Sequence, residues 1–125
     1  SAASDVYKRQ DYILHPMKVA SYMDTDTEKA VAYLHDVLED TNVTEDELRN
    51  MFPNEIVDTV IILTHRKDES YFEYISRVST SKLAKKIKVA DLLHNLDITR
   101  IKEPTKQDYQ RLEKYKKAIL YLATH

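Results

Sequence analysis

The sequence predicts an all-α fold, a compact helical bundle. Three observations carry this. Helix-capping signals recur: Thr44 with Glu47 and Ser70 with Glu73 have the spacing in which a hydroxyl and a carboxyl satisfy each other's backbone amides. One stretch, TVIIL at 59–63, has strand-like residue types, and no second run exists to pair with it. Glycine is absent, which disfavours the tight primed hairpin turns that lean on it.

The elements follow in order. Pro16 suits the first turn of a helix over about 16–23. Asp24 to Asp26 offer caps for a second helix, about 27–40. Thr44 opens a short helix to Phe52, and Pro53 starts the next, through IVDTVIILTH. Ser70 opens YFEYISRV. Thr80 or Ser81 caps a long stretch, KLAKKIKVADLLHNLDIT. Pro104 and Thr105 precede a final amphipathic helix to about Ala123, with Tyr109, Leu112, Tyr115, Ile119 and Leu122 as its packing stripe. Residues 1–10, SAASDVYKRQ, carry neither apolar periodicity nor a clear cap. They resemble translated sequencing-adapter read-through and are expected to be a non-native or disordered lead-in, with a short native lead-in as the alternative. Residues 11–125 then form a single domain, the prior for a chain of 125 residues.

Composition narrows the chemistry. Without cysteine there are no disulfides, thiolate metal ligands or thiol nucleophiles. Without glycine there is no phosphate loop of the P-loop or dinucleotide kind. A net charge of −2 lacks the basic footprint of a nucleic-acid binder. No apolar run approaches the roughly 18 residues of a membrane span, and no secretion signal is visible. A cytoplasmic location is the expectation. Five histidines and 21 acids leave a metal site built from nitrogen and oxygen ligands open.

Three segments bear chemistry. In AYLHDVLED, at about 100° per residue, Glu39 falls about 40°, Asp36 about 100° and Asp40 about 140° from His35. One face thus carries an imidazole and three carboxylates, while Val31, Leu34, Val37 and Leu38 cover the other. A divalent cation would relieve the repulsion among the acids; a solvated acidic helix end is the competing explanation. In KVADLLHNL, Asp91 is a lone carboxylate on a helix apolar on nearly every side. Buried there, it needs a cation, a hydrogen-bond cluster or an elevated pKa; an ion pair with Lys88 is the competing possibility. Asn95 shares its face. In YILHP, His15 precedes a proline, which disfavours helical backbone and predicts a fixed extended position. His15, His35, Asp36 and Asp91 together make a two-His, two-Asp set. Imidazole and carboxylate suit manganese, iron or zinc, whereas magnesium prefers all-oxygen sites.

These segments resemble the HD-domain superfamily, specifically the hydrolase domain of the Rel/Spo type and the stand-alone small alarmone hydrolases. HisPro at 15–16, HisAspxxGluAsp at 35–40 and AlaAspLeuLeuHisAsn at 90–95 carry the resemblance over about residues 12–123. It implies an all-α fold and a metal, commonly Mn²⁺, held by His15, His35, Asp36 and Asp91. It implies that Glu39 and Asp40 work on the attacking water, and that Asn95 lies at a bound nucleotide. The implied reaction removes the 3′-pyrophosphate of guanosine tetra- or pentaphosphate (ppGpp, pppGpp), a step of the stringent response. Another HD-type nucleotide phosphohydrolase and a non-catalytic nucleotide-binding HD protein are the alternatives.

The chain departs from that pattern. The family's helix before HisPro, with its basic pair, has no counterpart, and Lys8 and Arg9 stand at the wrong distance from His15. After HisAsn the chain runs Leu96, Asp97, Ile98, Thr99, Arg100 where the alarmone enzymes often have MetArgThr. Substrate phosphates are therefore expected to rely on the metal, Lys88, Arg66, Lys67 and Arg100; for the polar turn His65, Arg66 and Lys67 a solvated helix end is the competing explanation. His94 is either an outer partner of the site or a packed core histidine. Lys82, Lys85 and Lys86 are expected at the surface. The partner implied by the resemblance is a small-molecule nucleotide, and neither nucleic acid nor a membrane is expected.

Overall fold

The computed structural model describes residues 15–98 and 102–125. Helical residues 15–21 form α1. Then come α2 (Asp26–Leu34), α3 (Val37–Asp40), α4 (Glu45–Met51), α5 (Asn54–Ile62), α6 (Tyr71–Val78), α7 (Lys82–Ile98) and α8 (Lys106–Thr124). Among the described residues there is no strand, and TVIIL lies in α5 and its C-terminal cap. The fold is an all-α bundle. The lead-in at 1–10 and Arg100 lie outside the described residues.

Local chemistry explains most of the starts. Reciprocal hydroxyl–carboxyl capping boxes open α2 (Thr25 with Glu28), α6 (Ser70 with Glu73) and α8 (Thr105 with Asp108). Thr44 caps α4 by accepting from the Glu47 amide at 3.2 Å, and Ser81 accepts from the Ala84 amide at 3.1 Å. Each such cap contributes about 1 kcal/mol. The core gathers Val19, Val31, Val57, Val60, Ile75 and Val78 around Ala84, Ile87 and Leu92 of α7. α7 packs against α2, α5, α6 and α8, which makes it the axis of the bundle.

Four expectations need correction. The predicted helix over 27–40 is broken: α2 ends at Leu34, and Asp36 leaves helical geometry at φ −105°, ψ 2° before α3 begins. His15 is helical, not extended; the bias imposed by a following proline yields to the contacts its ring makes with α7, described below. The helix after Pro53 stops at Ile62, leaving Thr64 and His65 in a turn. On α8, Asp108 turns inward to bond Thr105, so its neighbour Tyr109 is rotated out and is 58% exposed.

The turn between α5 and α6 is clamped from one side. Arg77 donates to the Ile62 carbonyl at 2.8 Å and the Thr64 carbonyl at 2.9 Å, and pairs with Glu69 at 2.6 Å. The Tyr74 hydroxyl donates to the Leu63 carbonyl at 2.6 Å. The Arg77 hydrogen bond, stronger than the opposing effect of burial and helped by the Arg66 amide, pulls the Glu69 carboxyl down to about 2.

Arg77→Met should therefore destabilise the fold by about 2 kcal/mol, since it strands a largely buried carboxylate and two carbonyls. Urea denaturation reads this, and a loss below about 0.5 kcal/mol, the scale of an exposed pair, contradicts the clamp. Because the folded Glu69 pKa is depressed, its stabilisation is present above about 4.5 and fades as pH falls toward about 2. Glu69→Gln should flatten that acid limb.

Candidate metal centre

The bundle brings His15, His35, Asp36 and Asp91 together, with one donor atom from each lying within 4.8 Å of the others. α1 supplies His15, the junction of α2 and α3 supplies His35 and Asp36, and α7 supplies Asp91. His15 Nε2 lies 2.6 Å from Asp91 Oδ1, and His35 Nε2 lies 3.3 Å from the same oxygen. His35 Nε2 is also 3.0 Å from Asp36 Oδ2.

The broken helix draws His35 and Asp36 together. Successive residues on one helix point about 100° apart, so an uninterrupted 27–40 helix would spread His35 and Asp36 over a wide arc. With the backbone turned at Asp36, both side chains reach one centre. His35 Nδ1 bonds the Ala32 carbonyl at 2.5 Å. That nitrogen therefore carries a proton, and Nε2 faces Asp91 and Asp36.

Asp91 is 3% exposed and His35 is 2% exposed. Burial, the largest single influence, would raise the Asp91 carboxyl, but the Lys88 ammonium with His15 and His35 holds it well below the usual range. Burial likewise opposes charge on His35, yet its bonds to Asp36 and Asp91 lift the imidazole to about 10. Lys88 Nζ sits 2.9 Å from Asp91 Oδ2 and 5.1 Å from the centre of the Tyr74 ring. Desolvation disfavours its charge, but Asp91 outweighs that and raises its pKa. The central carboxylate is thus ringed by protons. Two imidazole nitrogens and two carboxylate oxygens within 4.8 Å match a span of about two metal–ligand bonds of about 2.1 Å each. The donor set fits a divalent transition ion, which would displace those protons.

Around this centre the other predicted residues take distinct places. Glu39 Oε1 accepts from the His65 backbone amide at 2.5 Å, so the clamped α5–α6 turn holds it. Desolvation and the charges of Asp36 and Asp40 raise its carboxyl above the usual range, against the pull of the His65 amide and Lys88. Asp40 is exposed and closes α3. Asn95 donates to Asp91 Oδ1 at 3.3 Å. Lys88 is engaged with Asp91 as the ion-pair reading of that residue anticipated. Arg66 and Lys67 are exposed on the turn that holds Glu39. Lys86 reaches Asp24 and Glu28 at 2.8 and 2.9 Å, away from the centre. Three contributors carry no local signal in the sequence: the His65 amide, Arg77 and the Tyr74 ring. Each acts through partners distant in the chain.

No model of a known protein family matches the chain. It is similar to a protein of Mycobacterium leprae named probable GTP pyrophosphokinase. The two are 34% identical over 110 aligned residues, which cover 77% of this chain. The chain spans 14% of that relative's length. No helix among the described residues is long and apolar enough to cross a membrane.

Metal-free protein should keep His35 as imidazolium through neutral pH. Its folded pKa is raised, so the stabilisation from its pairing is complete below about 6.5 and is lost as pH rises through about 10. An NMR titration of the His35 ring reads this directly. A midpoint near 6.5 would contradict the pairing with Asp36 and Asp91.

Proposed function

We propose that the chain is a metal-dependent phosphohydrolase that removes the 3′-pyrophosphate of guanosine tetra- or pentaphosphate. The observation that carries this is the His15–His35–Asp36–Asp91 cluster, with Glu39 held by the His65 amide and its carboxyl within reach of the Asp36 and Lys88 charges. The relative's name supports guanine-nucleotide and pyrophosphate chemistry. The motif resemblance supports hydrolysis as the direction of that chemistry.

Mn²⁺, or another divalent transition ion, held by the four residues would supply Lewis acidity and acidify water. The chain's own residues do the rest. Glu39 takes the proton of the attacking water; its raised pKa brings it nearer to neutral pH, where a general base is most effective. The His65 amide fixes the direction of its free oxygen. Asp40, next on α3, orients the same water. Water adds across the 3′ phosphoester bond: its oxygen goes to phosphorus, and a proton ends on the 3′ oxygen of GDP or GTP, releasing diphosphate. Lys88, Arg66 and Lys67 supply positive charge toward the phosphates, and Asn95 contacts the nucleotide.

A second reading has its own observation. The Lys88 ammonium and a protonated His35 neutralise Asp91 without any metal, as in a protein that binds a nucleotide and does not turn it over. A nucleotide panel with added Mn²⁺ separates the readings. Hydrolytic turnover, fastest on ppGpp, is expected, with GDP and diphosphate as products. Turnover of other nucleotides alone points to a different phosphohydrolase, and binding without turnover favours the second reading. Glu39→Gln should keep the metal and lose roughly two or more orders of magnitude in kcat. Asp91→Ala should lose most of the metal. Unchanged turnover in Glu39→Gln removes Glu39 from the mechanism.

A further inference from the structure

His94 stands one turn after Asp91 on α7, and its ring meets His15. The two Nδ1 atoms are 2.6 Å apart. The ring planes differ by 12° and the centroids lie 4.8 Å apart. That separation is nearly the nitrogen–nitrogen contact plus the two ring radii. The imidazoles therefore meet edge to edge in almost one plane, with the hydrogen bond along the lone-pair direction.

Two imidazole nitrogens this close share one proton: one donates and the other accepts. The direction is set by the opposite edge of His15. Its Nε2 points at Asp91 Oδ1 from 2.6 Å. To bind a metal there, Nε2 must present a lone pair, so the ring proton must sit on Nδ1. Nδ1 then donates, and His94 Nδ1 is the acceptor that receives it.

We infer that His94 is a positioning residue that accepts the Nδ1 proton of His15 and thereby orients His15 to ligate through Nε2. The inference rests on the proposed metal centre. The same centre holds a parallel: His35 Nδ1 is fixed in the same way by the Ala32 carbonyl. Each of the two histidines thus has an acceptor behind it and the carboxylates in front. Partners of this kind hold a ligand's tautomer and ring orientation, and their loss commonly weakens metal binding 10- to 100-fold.

The test measures metal affinity and the proton position, neither of which needs turnover. In Mn²⁺ titrations against a competing chelator, His94→Phe keeps the ring but removes the acceptor and should bind roughly 10- to 100-fold more weakly. His94→Asn places an amide oxygen where Nδ1 stood and should recover most of that loss. Zn²⁺-loaded wild-type protein with ¹⁵N-histidine should show the proton on His15 Nδ1, with scalar coupling across to His94 Nδ1. That measurement stands even where a variant fails to fold. Wild-type affinity in His94→Phe, equal losses in both variants, or a proton residing on His94 Nδ1 in the Zn²⁺ form would each overturn the inference. Wild-type protein that binds neither Mn²⁺ nor Zn²⁺ overturns the metal centre itself, and the inference with it.

Discussion

A carboxylate buried on the central helix sets the terms for everything around it. Taking one ion out of water costs several kcal/mol unless partners compensate, and Asp91 sits where α7 is enclosed by four other helices. The compensation comes from four groups: Lys88 on Oδ2, and His15, His35 and Asn95 on Oδ1. Lys88 and Asn95 come from α7 itself, His15 from α1 and His35 from the junction after α2, and all three helices contribute to the same core. The core therefore does more than stabilise the fold; it holds the donors to within hydrogen-bonding distance of one anion.

Two local devices convert that constraint into a site. The turn at Asp36 brings two consecutive side chains, about 100° apart on a regular helix, toward one point. The Arg77 clamp fixes the α5–α6 turn, and through the His65 amide that turn fixes Glu39. The first device gathers ligands; the second places a carboxylate beside them. They draw on different elements, so metal binding and the proposed proton transfer can be damaged separately.

What could be read from the sequence was what depends on near neighbours. Ser70 with Glu73 and Thr44 with Glu47 cap helices because the spacing alone brings the groups together. The burial of Asp91 was legible from its apolar flanks, and the company of His15, His35, Asp36 and Asp91 from their residue types and resemblance. The break at Asp36 was not, since DVLED contains neither proline nor glycine to announce it. Nor was the helical backbone of His15, where contacts with Asp91 and His94 override a local bias. Arg77 binds carbonyls 15 and 13 residues away, a distance over which spacing rules are silent. Tyr109 missed the core because the capping Asp108 took the inward position. For Asp91 the Lys88 ion pair on one oxygen coexists with a hydrogen-bond cluster on the other, and the elevated pKa gives way to a carboxyl held well below the usual range.

The central claim is that the buried carboxylate and its two imidazoles form one mixed coordination shell. X-ray absorption at the metal edge, on protein loaded with one equivalent of Mn²⁺, tests it most directly. The predicted spectrum shows an ion bound by both nitrogen and oxygen, with the outer-shell scattering of two imidazole rings. A shell made only of oxygen, as for a hydrated ion or one held by exposed acids, would contradict it.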